Sequence, residues 1–182
     1  MRTSPVLAVM WDESHLWGLL LLHALKALRA PFVLLRDGDI GTGRLRALAP
    51  ATLVMPGGWA RLKSVALGEE GRREIREYVA KGGNYLGFCG GAGLALGSEG
   101  GTPCLDLCSW SRKAASRRLP NFSGHLRCAV REAGQEYEAA LPVWWPSQFE
   151  PDQDQPLEVV ASYAGPDADF WSADLEWSGI TP

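Results

Sequence analysis

Apolar residues along this chain alternate between short continuous runs and stretches in which they recur at helical spacing. Val6-Leu7-Ala8-Val9-Met10 is unbroken, as in a strand buried on both faces, and the polar turn Asp12-Glu13-Ser14 follows it. Leu16, Leu19, Leu20, His23, Ala24 and Ala27 then mark a helix that Pro31 stops, with Asp12 or Ser14 as its cap. This predicts a buried helix with His23 in the core. Phe32-Val33-Leu34-Leu35 and Thr52-Leu53-Val54-Met55 read as two more strands, ended by Asp37-Gly38-Asp39 and Pro56-Gly57-Gly58, with a short helical turn over 44–48 between them. Residues 69–80 are mostly charged but set Ile75, Tyr78 and Val79 on one stripe, and Gly82-Gly83 supplies a left-handed stop, so a surface helix is predicted there. Asn84-Tyr85-Leu86-Gly87-Phe88 is a further strand, followed by the small residues Cys89-Gly90-Gly91-Ala92-Gly93, which let a helix pack closely on it. Such alternation predicts an α/β fold with a doubly wound, mostly parallel sheet and helices on both faces.

Beyond Gly97 the pattern is weaker. Residues 104–107, 125–131, 143–145 and 157–163 read as strands, 112–118 as a basic loop or helical turn, and 146–156 as a surface loop. The 182 residues fit one domain, 1–182. A formal net charge of −3 on a mixed surface argues against a nucleic-acid partner, which would need a basic face. The apolar run over 16–28 is broken by His23 and Lys26 and is shorter than the roughly 20 residues of a membrane span. With no signal-peptide pattern at the N-terminus, a cytoplasmic protein is expected, with its four cysteines reduced. Cys104 and Cys108 lack a second Cys/His pair at ligand spacing, so no metal is implied.

The chemistry centres on Gly87-Phe88-Cys89-Gly90-Gly91, a G-x-nucleophile-x-G elbow with cysteine in the serine position. A nucleophile on a tight strand-to-helix turn needs strained backbone angles, and flanking glycines remove the Cβ clashes that would forbid it. At a helix N-terminus, free amides and the dipole favour a thiolate. The competing reading is a buried cysteine in a glycine-rich packing turn. In an open α/β sheet Met55-Pro56-Gly57-Gly58-Trp59 ends at the same carboxyl edge, so Gly58 and its neighbours, with Gly90, are candidate amide donors to an oxyanion; a plain tight turn is the alternative. Glu13 and His15, in the loop after the first strand, border the same crevice, although helix capping competes for that loop's residues. His125 is a weaker candidate base. Trp11 and Trp59 suit a pocket wall, although core or dimer contacts are the commoner role of such residues, and Arg112, Lys113, Arg117 and Arg118 could gather an anionic ligand, although a solvated charged loop is the safer reading.

The run Val54-Met55-Pro56-Gly57-Gly58, the charged helix ending Tyr78-Val79-Ala80-Lys81-Gly82-Gly83, and Asn84-Tyr85-Leu86-Gly87-Phe88-Cys89-Gly90-Gly91-Ala92 together resemble the N-terminal domain of some biotin protein ligases. More loosely they resemble the class I glutamine amidotransferase and DJ-1/PfpI superfamily. The likeness covers the first half of the chain closely and the second only by strand pattern. It implies a flavodoxin-like sheet, a nucleophile at Cys89, and an oxyanion site at Gly57, Gly58 and Gly90, with no cofactor. The superfamily's amidotransferases complete a Cys-His-Glu triad from a His-x-Glu motif, and this sequence contains none. Its histidines are His15, His23 and His125, and the chain ends at Pro182 about where the closing strand and its histidine are expected. In the DJ-1 branch an acidic residue of the first loop meets the cysteine, a part that Asp12 or Glu13 resembles. Three functions therefore compete: a Cys89-dependent amide or acyl enzyme, a non-catalytic small-molecule-binding or regulatory module, and a DJ-1-like thiol protein. The corresponding partners are a small-molecule substrate or ligand, a ligase or synthetase domain, and a second copy of the chain.

Overall fold

The computed structural model describes residues 6–98, 103–112, 123–145, 148–155 and 157–164. The chain divides into two compact units, Met1–Ser111 and Arg112–Pro182. The first alternates strand and helix: β1 Leu7–Met10, α1 His15–Ala27, β2 Phe32–Leu35, α2 Asp37–Gly41, α3 Arg44–Leu48, β3 Thr52–Met55, α4 Ala60–Ala80, β4 Asn84–Gly87 and α5 Gly90–Ala95. Its four strands form a parallel sheet in the order β2-β1-β3-β4, with Ala8 beside Val33 and Leu53, and Leu53 beside Tyr85. That is the flavodoxin-like order, and in it every strand ends at one edge, where such sheets place their sites.

Strand alternation feeds two cores. On one face Ala8, Met10, Leu35, Leu53 and Met55 pack with Ile40, Leu67, Ile75, Tyr78 and Leu94 from α2, α4 and α5. On the other, Val9 and Val54 pack with Leu21 and Leu25 of α1. Helices thus cover both faces, as the pattern predicts. The expectation that α1 is buried needs correction: its buried residues are Gly18 and Leu25, while Leu16, Leu19, Leu20 and His23 are exposed. One helical stripe suffices to cover β1 and β3, so the helix's remaining apolar side faces outward.

The helix expected over 69–80 is the second half of α4. At Gly68 the backbone leaves helical geometry (φ 60°, ψ −175°), so α4 is two helices end to end, and its first half, 60–67, lies outside the helix that the pattern predicts. Two charged residues in the second half of α4, Arg72 and Glu74, are buried, in contrast to the surface helix expected. Arg72 donates from Nη1 to the Ser64 carbonyl at 2.7 Å, and Glu74 accepts from the Arg46 amide at 3.0 Å. The turn predicted at Asp37-Gly38-Asp39 is instead α2, opened by Asp39 accepting the Arg36 amide.

The second unit contains a three-stranded antiparallel sheet of β5 Ser123–Glu132, β6 Gln135–Trp144 and β7 Ala161–Tyr163, in the order β6-β5-β7. Ala133 (φ 50°) and Gly134 (φ 79°) make the two-residue hairpin turn, whose positive angles match the strand twist. Leu126, Cys128 and Val130 alternate inward to a small core with Ala139 and Val143. Residues 143–144 therefore end a long strand, and 157–160 precede one. The expected strand at 104–107 is not formed; Leu105 N donates to the Leu94 carbonyl at 2.9 Å and Leu107 N to that of Ala95 at 3.0 Å, tying the segment to the end of α5. No helix among the described residues is long and apolar enough to cross a membrane.

Candidate functional site

β4 stops at Gly87 and the chain turns at once into α5. Phe88 N donates to the Met55 carbonyl at 3.0 Å, tying the turn to the end of β3, and Gly91 N donates to the Phe88 carbonyl at 2.7 Å. Between them Cys89 adopts φ 50°, ψ −114°, a conformation that L residues rarely take and that costs on the order of 1–3 kcal/mol. The Cys89 residue is exposed, which removes the reading of a buried packing cysteine. Tyr85 fixes the turn from below, donating its hydroxyl to the Gly91 carbonyl at 2.7 Å, and burial pushes that hydroxyl's pKa up, keeping it protonated as a donor.

Two glycines bring three loops into contact. Gly58 has φ 120°, and a Cβ there would run into the Glu13 carbonyl; a Cβ on Gly90 would run into the carbonyl of Gly58. The loops after β1, β3 and β4 thus meet backbone to backbone, an approach that any side chain would prevent. No backbone carbonyl among the described residues accepts the amides of Gly58 or Gly90. Gly57 is buried under the ring of Trp17, with 2.7 Å from its missing Cβ position to Trp17 Cγ.

The first loop carries further strain, with φ 53° at Glu13 and 47° at His15. Asp12 is committed elsewhere: its Oδ1 lies 2.5 Å from Arg36 Nη1 and its Oδ2 accepts the Asp37 amide at 2.8 Å. Ser14 occupies the N-cap position of α1 without a side-chain cap bond; its hydroxyl turns back to the Met10 carbonyl at 3.1 Å. Glu13 Oε2 lies 3.5 Å from His15 Nε2, and His15 is exposed.

One residue that the sequence pattern does not single out joins these loops. Lys63, on the first half of α4, is fully buried, and its Nζ donates to Ser14 Oγ at 2.8 Å and to the Asp12 carbonyl at 3.2 Å. Its Cε lies 3.4 Å from the missing Cβ position of Gly58. Burial pushes its pKa down to about 8, opposed by the nearby acidic groups Glu13, Asp12 and Cys89. A lysine in the first turn after Pro-Gly-Gly-Trp is visible in the sequence; with no helix predicted over 60–67, nothing points it inward.

Of the expected site residues, Cys89, Gly57, Gly58, Gly90 and Glu13 gather at the carboxyl edge, with His15 on the same loop. His125 lies on β5 of the second unit and is exposed. Trp11 packs on Gly18, while Trp59, at the N-cap of α4, is exposed. Of the basic cluster, Lys113, Arg117 and Arg118 lie outside the described residues.

Residues 47–99 match the family described as biotin-protein ligase, N terminal. No curated protein matches the chain. Among solved structures, a protein from Thermoplasma acidophilum assigned as part of a GMP synthase aligns with a TM-score of 0.57 at 15% identity, covering 90% of this chain and 75% of that one. The structure of PurLQS from Thermotoga maritima aligns with a TM-score of 0.60 at 14% identity, covering 90% and 76%. At those identities the solved structures speak for the fold, and the matched segment spans the helix-strand-elbow unit that carries Cys89. Over residues 47–99 the chain is thus similar to the biotin protein ligase N-terminal family, and its fold is the α/β, glutamine amidotransferase-like fold of the solved structures it aligns with.

Proposed function

We propose that the chain is a cysteine-dependent amide- or acyl-processing domain in which Cys89 is the nucleophile. The observation that carries this is the backbone of Cys89 itself: an exposed thiol held at φ 50°, ψ −114° between a strand and a helix, against a glycine loop. Strain of that kind persists where the surroundings enforce it and is concentrated at active sites. In the reaction Sγ attacks the carbonyl carbon, and the oxyanion takes hydrogen bonds from the amides of Gly58 and Gly90, with Gly57 shaping the loop. The C–N bond then breaks, the nitrogen leaves as ammonia or an amine with the thiol's proton, and water hydrolyses the thioester to regenerate Cys89. One amidotransferase-like domain over 1–182, working in the cytoplasm with a small-molecule substrate, a ligase or synthetase partner domain, or a second copy, is part of the same proposal.

The pH dependence of Cys89 alkylation by iodoacetamide tests it, with C89S and the other three cysteines as controls. A thiol ionising well below its free value of about 8.5 supports the nucleophile and directs a screen of amides and glutamine. A Cys89 that ionises normally sinks it. A second reading, a binding module or DJ-1-like thiol protein on the same scaffold, is favoured by the histidines: His15 faces Glu13, His23 lies exposed on α1, and His125 belongs to the other unit. Mass gain confined to Cys89 under peroxide, without amide hydrolysis, would select the thiol protein.

A further inference from the structure

Buried lysines are rare unless a negative group compensates them, and Lys63 is fully buried with two neutral oxygens as its hydrogen-bond acceptors. An ammonium has three protons, and Ser14 Oγ and the Asp12 carbonyl take two of them. The side chain threads beneath Gly58, whose carbonyl abuts Gly90, the residue after Cys89. From the first loop the charged groups facing it are Asp12 and Glu13; from the elbow it is Cys89. Asp12 is already shared with Arg36 and the Asp37 amide, and Glu13 lies beside His15. Cys89, beside the Gly90 that the Gly58 carbonyl abuts, is the group among these whose chemistry a fixed positive charge would assist.

We propose that Lys63 is the positioning cation of the Cys89 site, a fixed charge under the Gly58 loop that favours the thiolate in a chain with no His-x-Glu. The inference rests on the nucleophile reading above. When Cys89 ionises, its proton goes to water and the lysine keeps its own, so the step is an ordinary acid dissociation made easier by a nearby positive charge. The hydrogen bonds to Ser14 and Asp12 aim the ammonium, and the dry surroundings keep water from screening it. Lys63 acts on the nucleophile without touching substrate.

Two neutral variants, K63M and K63Q, remove the charge, and in each the Cys89 alkylation midpoint is expected to move up by about one pH unit while the plateau rate of the thiolate stays within a few fold. Coupling is reciprocal, so C89S, which alters an exposed side chain, is expected to lower the Lys63 titration midpoint by a similar amount, followed through its side-chain NMR resonances. A low Cys89 midpoint that stays low in both variants, with no shift of Lys63 in C89S, overturns the inference and leaves the nucleophile reading standing. An ordinary Cys89 midpoint in the wild type defeats the nucleophile reading, and the Lys63 shift in C89S then decides the coupling alone. Should K63M and K63Q fail to fold, the same C89S measurement decides.

Discussion

Raising the pH from 7 to 10 should stabilise the folded chain through Lys63, and the size of the effect follows from its burial. A free lysine titrates near 10.5, and burial holds this one at about 8. That difference corresponds to roughly 3 kcal/mol of preference for the neutral amine in the folded state. Below pH 8 the lysine is protonated in both folded and unfolded chains, so the folded state carries the whole penalty of a buried charge. Between pH 8 and 10.5 the folded chain has lost the proton and the unfolded chain still binds it, so stability rises with pH. K63M removes the charge and the two hydrogen bonds, each worth about 1 kcal/mol. At pH 7 it should therefore be about as stable as the wild type or more so, and by pH 10 less stable. Urea unfolding at half-unit steps of pH measures both proteins in a C89S background, which removes the Cys89 ionisation, and the other tyrosine and cysteine ionisations shared by the two cancel in the difference. The expected signature is a stability difference that swings by about 2–3 kcal/mol against K63M over this range. A difference that stays flat from pH 7 to 10 would refute the burial argument.

Three further substitutions probe the elbow. G90A drives a methyl into the Gly58 carbonyl, a contact between backbones that no rotamer relieves, and should lower the unfolding free energy by more than about 2 kcal/mol; a loss under about 0.5 would show that the loops do not meet. C89G relaxes a residue at φ 50° and should raise the thermal midpoint, by up to about 1 kcal/mol in stability, while abolishing the most reactive thiol in an alkylation map. Y85F removes the hydroxyl bonded to Gly91 and should cost about 1 kcal/mol in urea unfolding and slow Cys89 alkylation; unchanged alkylation would show that α5 keeps its place without that bond.

Much of the first unit was legible because its signals are local. The apolar runs at 7–10, 32–35, 52–55 and 84–87 are strands of one parallel sheet, and Gly87-Phe88-Cys89-Gly90-Gly91 has a composition that allows a sharp strand-to-helix turn with an exposed thiol. The second unit was harder to read because β6 is mostly exposed and carries little apolar alternation, so its place beside β5 depends on backbone pairing. What the tertiary structure alone decided is where polar groups end up. Asp12 could have capped α1, yet its carboxylate goes to Arg36 and Asp37, which a parallel crossover brings beside it. Lys63 follows an exposed tryptophan in a helix of mixed polarity, and nothing local distinguishes it from a surface lysine. It is buried because α4 starts under the glycine loop after β3, where oxygens from the loop after β1 can accept its protons. Periodicity and turn chemistry are set by neighbours along the chain, whereas the partner of a charged side chain is set by groups tens of residues away.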